Sequence, residues 1–306
     1  MRAPEFWQHR GPLALLLAPL GILYGASVAL KARFAAPYRA KARVICVGNL
    51  TTGGSGKTPV AMAVAQSLIA RGKKVFFLAR GYGGTEAGPL LVTNQAAAQV
   101  GDEALLLARI APTLVARNRA DGARLADASG AEVIVMDDGH QNFSLAKDIS
   151  LVVVDGFGNG LMIPAGPLRE TVRSGLARAD AAVAFGGGAL KDFSGPVLTA
   201  RLEADGASFA GKRVFAFAGI GRPEKFVNSL KAAGAIVTGA QFFGDHHPYS
   251  PAEIAALTRQ AKDAMLVTTE KDLVRLSPEE RQRVAVLTVR AVFDDPALLD
   301  RLLAAV

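Results

Sequence analysis

The sequence predicts an α/β protein: a P-loop NTPase-type parallel sheet flanked by helices, with a second, smaller α/β domain and an N-terminal apolar membrane helix. Three observations predict it. Short apolar runs alternate with helical patterns from Val44 onward, as in a parallel sheet covered on both faces. The first of these runs passes into a glycine-rich stretch ending Gly56-Lys57-Thr58, the strand, loop and helix start of a nucleoside triphosphate site. Ahead of both lie twenty uncharged residues, 11–30.

The 306 residues suffice for two domains, expected at 41–205 and 206–306 behind an N-terminal region 1–40. Half of them are hydrophobic and a fifth charged, which excludes a disordered chain. The single cysteine, Cys46, sits inside the first apolar strand. It excludes an intrachain disulfide and a cysteine-rich metal site, and it fits a reducing compartment. A net charge of +8 with a pI near 9.8 suits nucleic acid, anionic lipid or a phosphorylated substrate. Without zinc-finger spacing, an RNA-binding aromatic signature or a DNA-reading helix, nucleic acid ranks last and no nucleic-acid partner is expected.

In the apolar run, Leu13, Leu16, Leu17, Leu20 and Leu23 share one helical face, and Ala14, Ala18, Gly21, Gly25 and Ala29 line another. Small residues allow close approach of a second helix or of the protein body. Arg10, Lys31, Arg33, Arg39, Lys41 and Arg43 flank the run and suit anionic headgroups. The run is just long enough to span a bilayer, although Pro12 and Pro19 interrupt it. A secretory signal has a similar look, but a nucleotide-using α/β chain follows. The expectation is a membrane-associated anchor, spanning or lying in one leaflet, with a membrane lipid surface as partner.

The glycine-rich stretch reads Gly48-Asn-Leu-Thr-Thr-Gly53-Gly54-Ser-Gly56-Lys57-Thr58-Pro59. Its glycines let successive N–H groups point at phosphate oxygens. The phosphate-binding residues are expected to be Thr51, Thr52, Gly53, Gly54, Ser55, Gly56, Lys57 and Thr58. Lys57 reaches the β- and γ-phosphates, the Thr58 hydroxyl ligates Mg²⁺, and the helix adds its positive end. Pro59 is tolerated because a first-turn N–H lacks an intrahelical partner. The usual pattern has Gly where Thr51 stands.

Beyond the loop, strands are expected at 74–78, 113–116, 132–136 and 149–154, with helices at 104–110 and 121–128. Arg80, Asp137, Asp138 and Asp155 then fall at strand ends, where ligands bind in such sheets. Periodicity lapses from 196 to 213, and a second βα run follows at 214–218, 223–233, 236–238 and 265–268. Asp137 and Asp138 are placed to hold Mg²⁺ directly or through water. Asp102 precedes a helix, where an N-cap is the ordinary explanation. Adjacent histidines His246 and His247 point in different directions, which argues against metal binding by that pair. Pro164-Ala-Gly-Pro-Leu-Arg169-Glu170 is a rigid loop carrying a charged pair.

These segments together resemble the tetraacyldisaccharide 4'-kinase (lipid A 4'-kinase) family. The matching motifs are the extended phosphate loop, Ala79-Arg-Gly-Tyr-Gly83, Gly101-Asp-Glu103, Asp137-Asp-Gly139 with Gln141, the 164–170 loop, Asp245-His-His247 and Thr268-Thr-Glu-Lys-Asp272. They cover about the whole chain, and the displaced glycines account for Thr51. The resemblance implies an ATP- and Mg²⁺-dependent kinase at the cytoplasmic face of the inner membrane, acting in lipid A biosynthesis. It phosphorylates the 4'-hydroxyl of an acylated glucosamine disaccharide 1-phosphate, with no obligate protein partner evident. Carried over by motif, Lys57 and Thr58 serve the phosphates and Mg²⁺, and Asp138 belongs to the metal shell. Asp102 is the base on the sugar hydroxyl, assisted by His246. Asp137, Glu103, Arg80, Arg169 and Glu170 are secondary active-site residues. Asp102 and His246 lie on different domains, so their meeting is expected to need closure over bound substrate. After Gly139 the family usually has an aromatic residue, Gln and His, where this chain has His140, Gln141 and Asn142. The alternatives are a membrane-associated ATPase switch and an ATP-dependent ligase.

Overall fold

The structure, a computed structural model, describes residues 4–186, 190, 193–221, 223–304 and 306. Its strands are β1 (Arg43–Asn49), β2 (Val75–Ala79), β3 (Leu90–Leu91), β4 (Thr113–Val115), β5 (Val133–Asp137) and β6 (Ile149–Val154). There follow β7 (Ala181–Phe185), β8 (Val197–Asp205), β9 (Arg213–Ala218), β10 (Ile236–Phe242), β11 (Met265–Thr269) and β12 (Ala285–Phe293). They form one twelve-stranded sheet in the order β10-β9-β11-β12-β8-β7-β6-β1-β5-β2-β4-β3. Pairing is parallel throughout, apart from β3 with β4 and β8 with β12.

The central strands β5 and β6 are buried along their whole length, and β1 from Val44 on. They therefore read as unbroken apolar runs rather than as alternation. The helix Lys57–Ala70 closes one face by burying Val60, Ala61, Val64, Ala65 and Leu68. Each Val or Leu so placed contributes about 1.5–3 kcal/mol. Because β1 sits between β5 and β6, the loop after β1 emerges beside the acidic end of β5.

The expected lapse of periodicity at 196–213 is corrected by β8. Leu198 and Ala200 are buried, while Arg201, Leu202 and Glu203 face outward. Half-solvated antiparallel pairing with β12 breaks up the apolar run that a fully covered strand would show. This pair joins the two parallel stretches. Beyond it, the faces around β9 and β11 carry separate apolar clusters, one with Phe226 and Leu230 and the other with Phe217 and Leu257.

The N-terminal helix Pro12–Arg33 is long and apolar enough to cross a membrane: an 18-residue window of it has a mean hydropathy of 2.1 and is only 11% buried. Ala14 and Gly21 are its buried residues. A Cβ on Gly21 would lie 2.7 Å from the Met162 carbonyl oxygen, and one on Gly25 would collide with the Met162 sulfur. The small-residue face thus meets the protein body, while Leu16 and Leu23 stay 75% and 67% exposed on the other side. Trp7 Nε1 donates to Pro164 O at 3.0 Å and Arg10 Nε to Asn159 O at 2.9 Å, so the preceding segment is tied to the same loop.

Candidate active site

The phosphate loop is shaped by its glycines and braced from one side. Gly53 and Gly56 have φ of 111° and 81°, values that an L side chain rarely adopts. A Cβ on Gly53 or Gly54 would meet nothing within 4 Å, whereas one on Gly56 would strike the Phe185 ring. Thr52 N donates to Pro167 O at 2.9 Å, and Arg169 N to Leu50 O at 2.8 Å, so the 164–170 loop braces the phosphate loop. Asn49 Nδ2 donates to Ser55 Oγ at 2.8 Å and to Thr51 Oγ1 at 3.3 Å. Lys57 arches back, its Nζ 3.5 Å from Gly53 O and 3.8 Å from Asp138 Oδ1.

Asp137 and Asp138 are separated by environment. Thr58 Oγ1 donates to Asp137 Oδ2 at 2.9 Å. Asp137 Oδ1 is buried and has no hydrogen-bond partner among the described residues. Burial, reinforced by the charges of Glu103 and Asp138, pushes the Asp137 carboxyl up to about 7. Asp138 has φ 52° and turns outward to a two-pronged contact with Arg169, at 2.9 and 3.2 Å. Burial alone would raise its pKa, but Lys57 and then Arg169 outweigh that and hold it below the usual carboxylate range.

Asp102 is the first residue of the helix Asp102–Leu107, capped by Gly101, and its carboxylate makes no cap. It spends its acceptors elsewhere. His246 Nδ1 donates to Oδ2 at 2.7 Å, and Arg275 donates to the same oxygen from Nε at 2.9 Å and Nη2 at 2.5 Å. Burial opposes ionisation of Asp102, and the His246 and Arg275 contacts more than compensate, leaving its pKa lowered. The expectation that closure over substrate must bring Asp102 and His246 together is not met, because a fixed network already joins them. His247 is committed elsewhere: its Nε2 lies 3.0 Å from Glu253, and its ring stacks on Phe243. Arg275 is absent from the sequence reading. Its signal was its place three residues beyond Asp272, which it contacts at 2.9 Å.

The remaining expected residues divide. Glu103 pairs with Lys271 at 2.8 Å and contributes to the electrostatics of Asp137. Helix Asp102–Leu107 packs against the phosphate-loop helix, so the two motifs lie on neighbouring elements. Arg169 joins the site through Asp138. Glu170 is turned to Arg178, with both oxygens at 2.7 Å, and to Gln141 Nε2 at 3.0 Å. Arg80 is exposed at the end of β2. His140 is fully buried; its Nε2–H donates to Gly175 O at 2.9 Å and Nδ1 has no partner among the described residues. A Cβ on Gly48 would lie 2.6 Å from the His140 Cβ, so glycine is required there.

A parallel sheet with a phosphate loop, an acidic pair at its lip and a carboxylate–imidazole pair across the crevice defines a phosphate-loop phosphotransferase. The comparisons with known proteins agree. Residues 13–306 match the family described as tetraacyldisaccharide-1-P 4'-kinase. A tetraacyldisaccharide 4'-kinase from Paramagnetospirillum magneticum is 54% identical, covering 98% of this chain and 97% of that protein. One from Rhodospirillum rubrum is 50% identical over 99% of this chain and 98% of its own length. The crystal structure of Aquifex aeolicus LpxK in complex with ATP superposes with a TM-score of 0.80 at 26% identity, covering 96% of this chain and 99% of that one. The chain belongs to the tetraacyldisaccharide-1-P 4'-kinase family.

His140 gives a prediction about stability. Burial first, and then the nearby Lys147 and Arg178 cations, lower its pKa from 6.5 to about 4. A folded-state value below the unfolded one means that the unfolded chain binds the proton first, so stability is lost as pH falls below 6.5. The histidine should cost about 2 kcal/mol between pH 7.5 and pH 5. Chemical denaturation of wild type and His140→Phe at both pH values isolates that part, since the other groups cancel. The wild type should lose about 2 kcal/mol more than the variant. Parallel losses would show that His140 is not buried neutral.

Proposed function

We propose that this chain transfers the γ-phosphoryl group of ATP to the 4'-hydroxyl of an acylated glucosamine disaccharide 1-phosphate, with Mg²⁺ as cofactor. The observation that carries this reading is the ionised, buried Asp102 held by His246 in the same crevice as the Lys57 loop. The relatives' shared name supplies the acceptor.

In this reading the phosphate-loop N–H groups and Lys57 bind the triphosphate and offset charge on the transferring group. Asp102 accepts the proton of the acceptor hydroxyl as its oxygen bonds to the γ-phosphorus, and the bond to the bridging oxygen breaks to release ADP. His246 orients the carboxylate. Thr58, Asp137 and Asp138 fit Mg²⁺: they offer hard oxygen donors, and the buried Asp137 Oδ1 lacks a partner among the described residues. These residues would hold the ion, which would supply charge neutralisation to the phosphate oxygens. Arg169 keeps Asp138 oriented, and Glu170, through Arg178 and Gln141, steadies the loop that carries Arg169. Arg80, exposed at the mouth, suits an anionic substrate group. The domain division at 1–40, 41–205 and 206–306 belongs to this reading, supported by the separate apolar clusters around β9 and β11, while Phe293, Leu299 and Leu303 near the C-terminus pack into the core of the first stretch.

Incubation with ATP, Mg²⁺ and the acylated disaccharide 1-phosphate should yield a product heavier by one phosphate on mass analysis. Lys57→Ala should lower turnover about 10²–10³-fold without loss of fold. Near-normal turnover in that variant removes the phosphate-loop assignment.

The exposed leucines of Pro12–Arg33 support association with the cytoplasmic face of the inner membrane. Detergent should release the full-length protein from membranes, and 1 M salt, where the Debye length is about 3 Å, should not. Deleting residues 1–33 should leave the protein soluble. A full-length protein that is soluble at low salt would contradict the anchor.

A further inference from the structure

We infer that Arg275 is the positioning residue of the site: its guanidinium fixes Asp102 and the His246 loop together, occupies Oδ2 and leaves Oδ1 for the acceptor hydroxyl. The inference rests on the reading of Asp102 as the base.

The geometry uses the whole guanidinium fork. Nε and Nη2 donate to Asp102 Oδ2, and Nη1 donates to Asp272 Oδ1 at 2.9 Å and to Gly219 O at 3.0 Å. The side chains of Arg275, Asp102 and Asp272 are 4%, 6% and 0% exposed. Asp272 is itself held by Gly219 N–H at 2.9 Å, Tyr249 Oη at 2.8 Å and Thr269 Oγ1 at 2.6 Å. Arg275 therefore reaches Asp102 from an anchor fixed on three sides. The same Gly219 carbonyl accepts from the backbone N–H of His246 at 3.1 Å. One side chain thus locates both members of the Asp102–His246 pair, which come from segments 144 residues apart.

Every side-chain hydrogen bond to Asp102 among the described residues ends on Oδ2. The other polar groups nearby are committed differently: Lys271 pairs with Glu103, and His246 Nε2 lies 3.8 Å from Asp245. A lysine at 275 could keep one ion pair, but its single ammonium cannot reproduce a planar fork that serves three acceptors.

The test uses the full-length protein with Arg275→Lys, Arg275→Ala, Asp102→Asn and the double variant Asp102→Asn/Arg275→Lys. Arg275→Ala strips the partner from two buried carboxylates and is the variant at risk of misfolding; Arg275→Lys retains the charge. Arg275→Lys should keep its melting temperature and KM for ATP near wild type while kcat falls about 100-fold, the scale of a small misplacement of a reacting group. In the Asp102→Asn background the same change should cost less than about threefold, because both act on one step. A kcat for Arg275→Lys within twofold of wild type overturns the inference. So does an equal fold-loss in both backgrounds, which is the mark of a merely structural role. Normal turnover in Asp102→Asn alone removes the underlying reading instead, and is told apart by that single variant.

Discussion

The structure depends most on how two buried carboxylates, Asp102 and Asp272, share one guanidinium. Isolated charges at such depth cost several kcal/mol each unless paired and hydrogen-bonded. Here Arg275 stands between them, His246 adds a second donor to Asp102 Oδ2, and Tyr249, Thr269 and the Gly219 backbone satisfy Asp272. The network joins the helix that follows Gly101 to the segment that follows β11. It therefore closes the crevice by electrostatics rather than by apolar packing. Arg109 with Glu270 and Lys271 with Glu103 extend the same seam of opposite charges.

The opposite wall works by separating two adjacent carboxylates. Asp137, at the buried end of β5, is pushed toward neutrality, while Asp138, one residue on in a left-handed turn, is kept ionised by Lys57 and Arg169. The backbone turn accomplishes this by sending successive side chains into different surroundings. The 164–170 loop then does two things at once: its backbone braces the phosphate loop, and its Arg169 holds Asp138. The N-terminal helix leans on the same region at Met162, and Trp7 ahead of it at Pro164. The apolar helix and the phosphate loop thus meet on one short stretch of chain.

Much of this was legible in the residues. The run from Val44 to Thr58 announced strand, loop and helix because glycine, lysine and threonine at that spacing have a physical task. The small-residue face of the first helix foretold a close approach, which Met162 supplies. Less legible were the long-range polar contacts. The only local signal of Arg275 is Asp272 three residues earlier, which gives no hint of its reach to Asp102, and the sequence does not show that Glu170 pairs with Arg178. Whether His246 or His247 meets Asp102 is set by the positive φ of 60° at His246, which no side-chain pattern encodes. β8 was hidden because only Leu198 and Ala200 are buried and its second half is exposed at Arg201, Leu202 and Glu203 alike.

The central claim is that Asp102 and His246 act as one unit on the acceptor hydroxyl. Turnover of wild type, Asp102→Ala, His246→Ala and the double variant, at saturating ATP, tests it most directly. Each single change should cut turnover strongly at near-constant ATP affinity, and the double variant should lose far less than the product of the two losses. Fully multiplicative losses would contradict it and would separate His246 from the proton-transfer step.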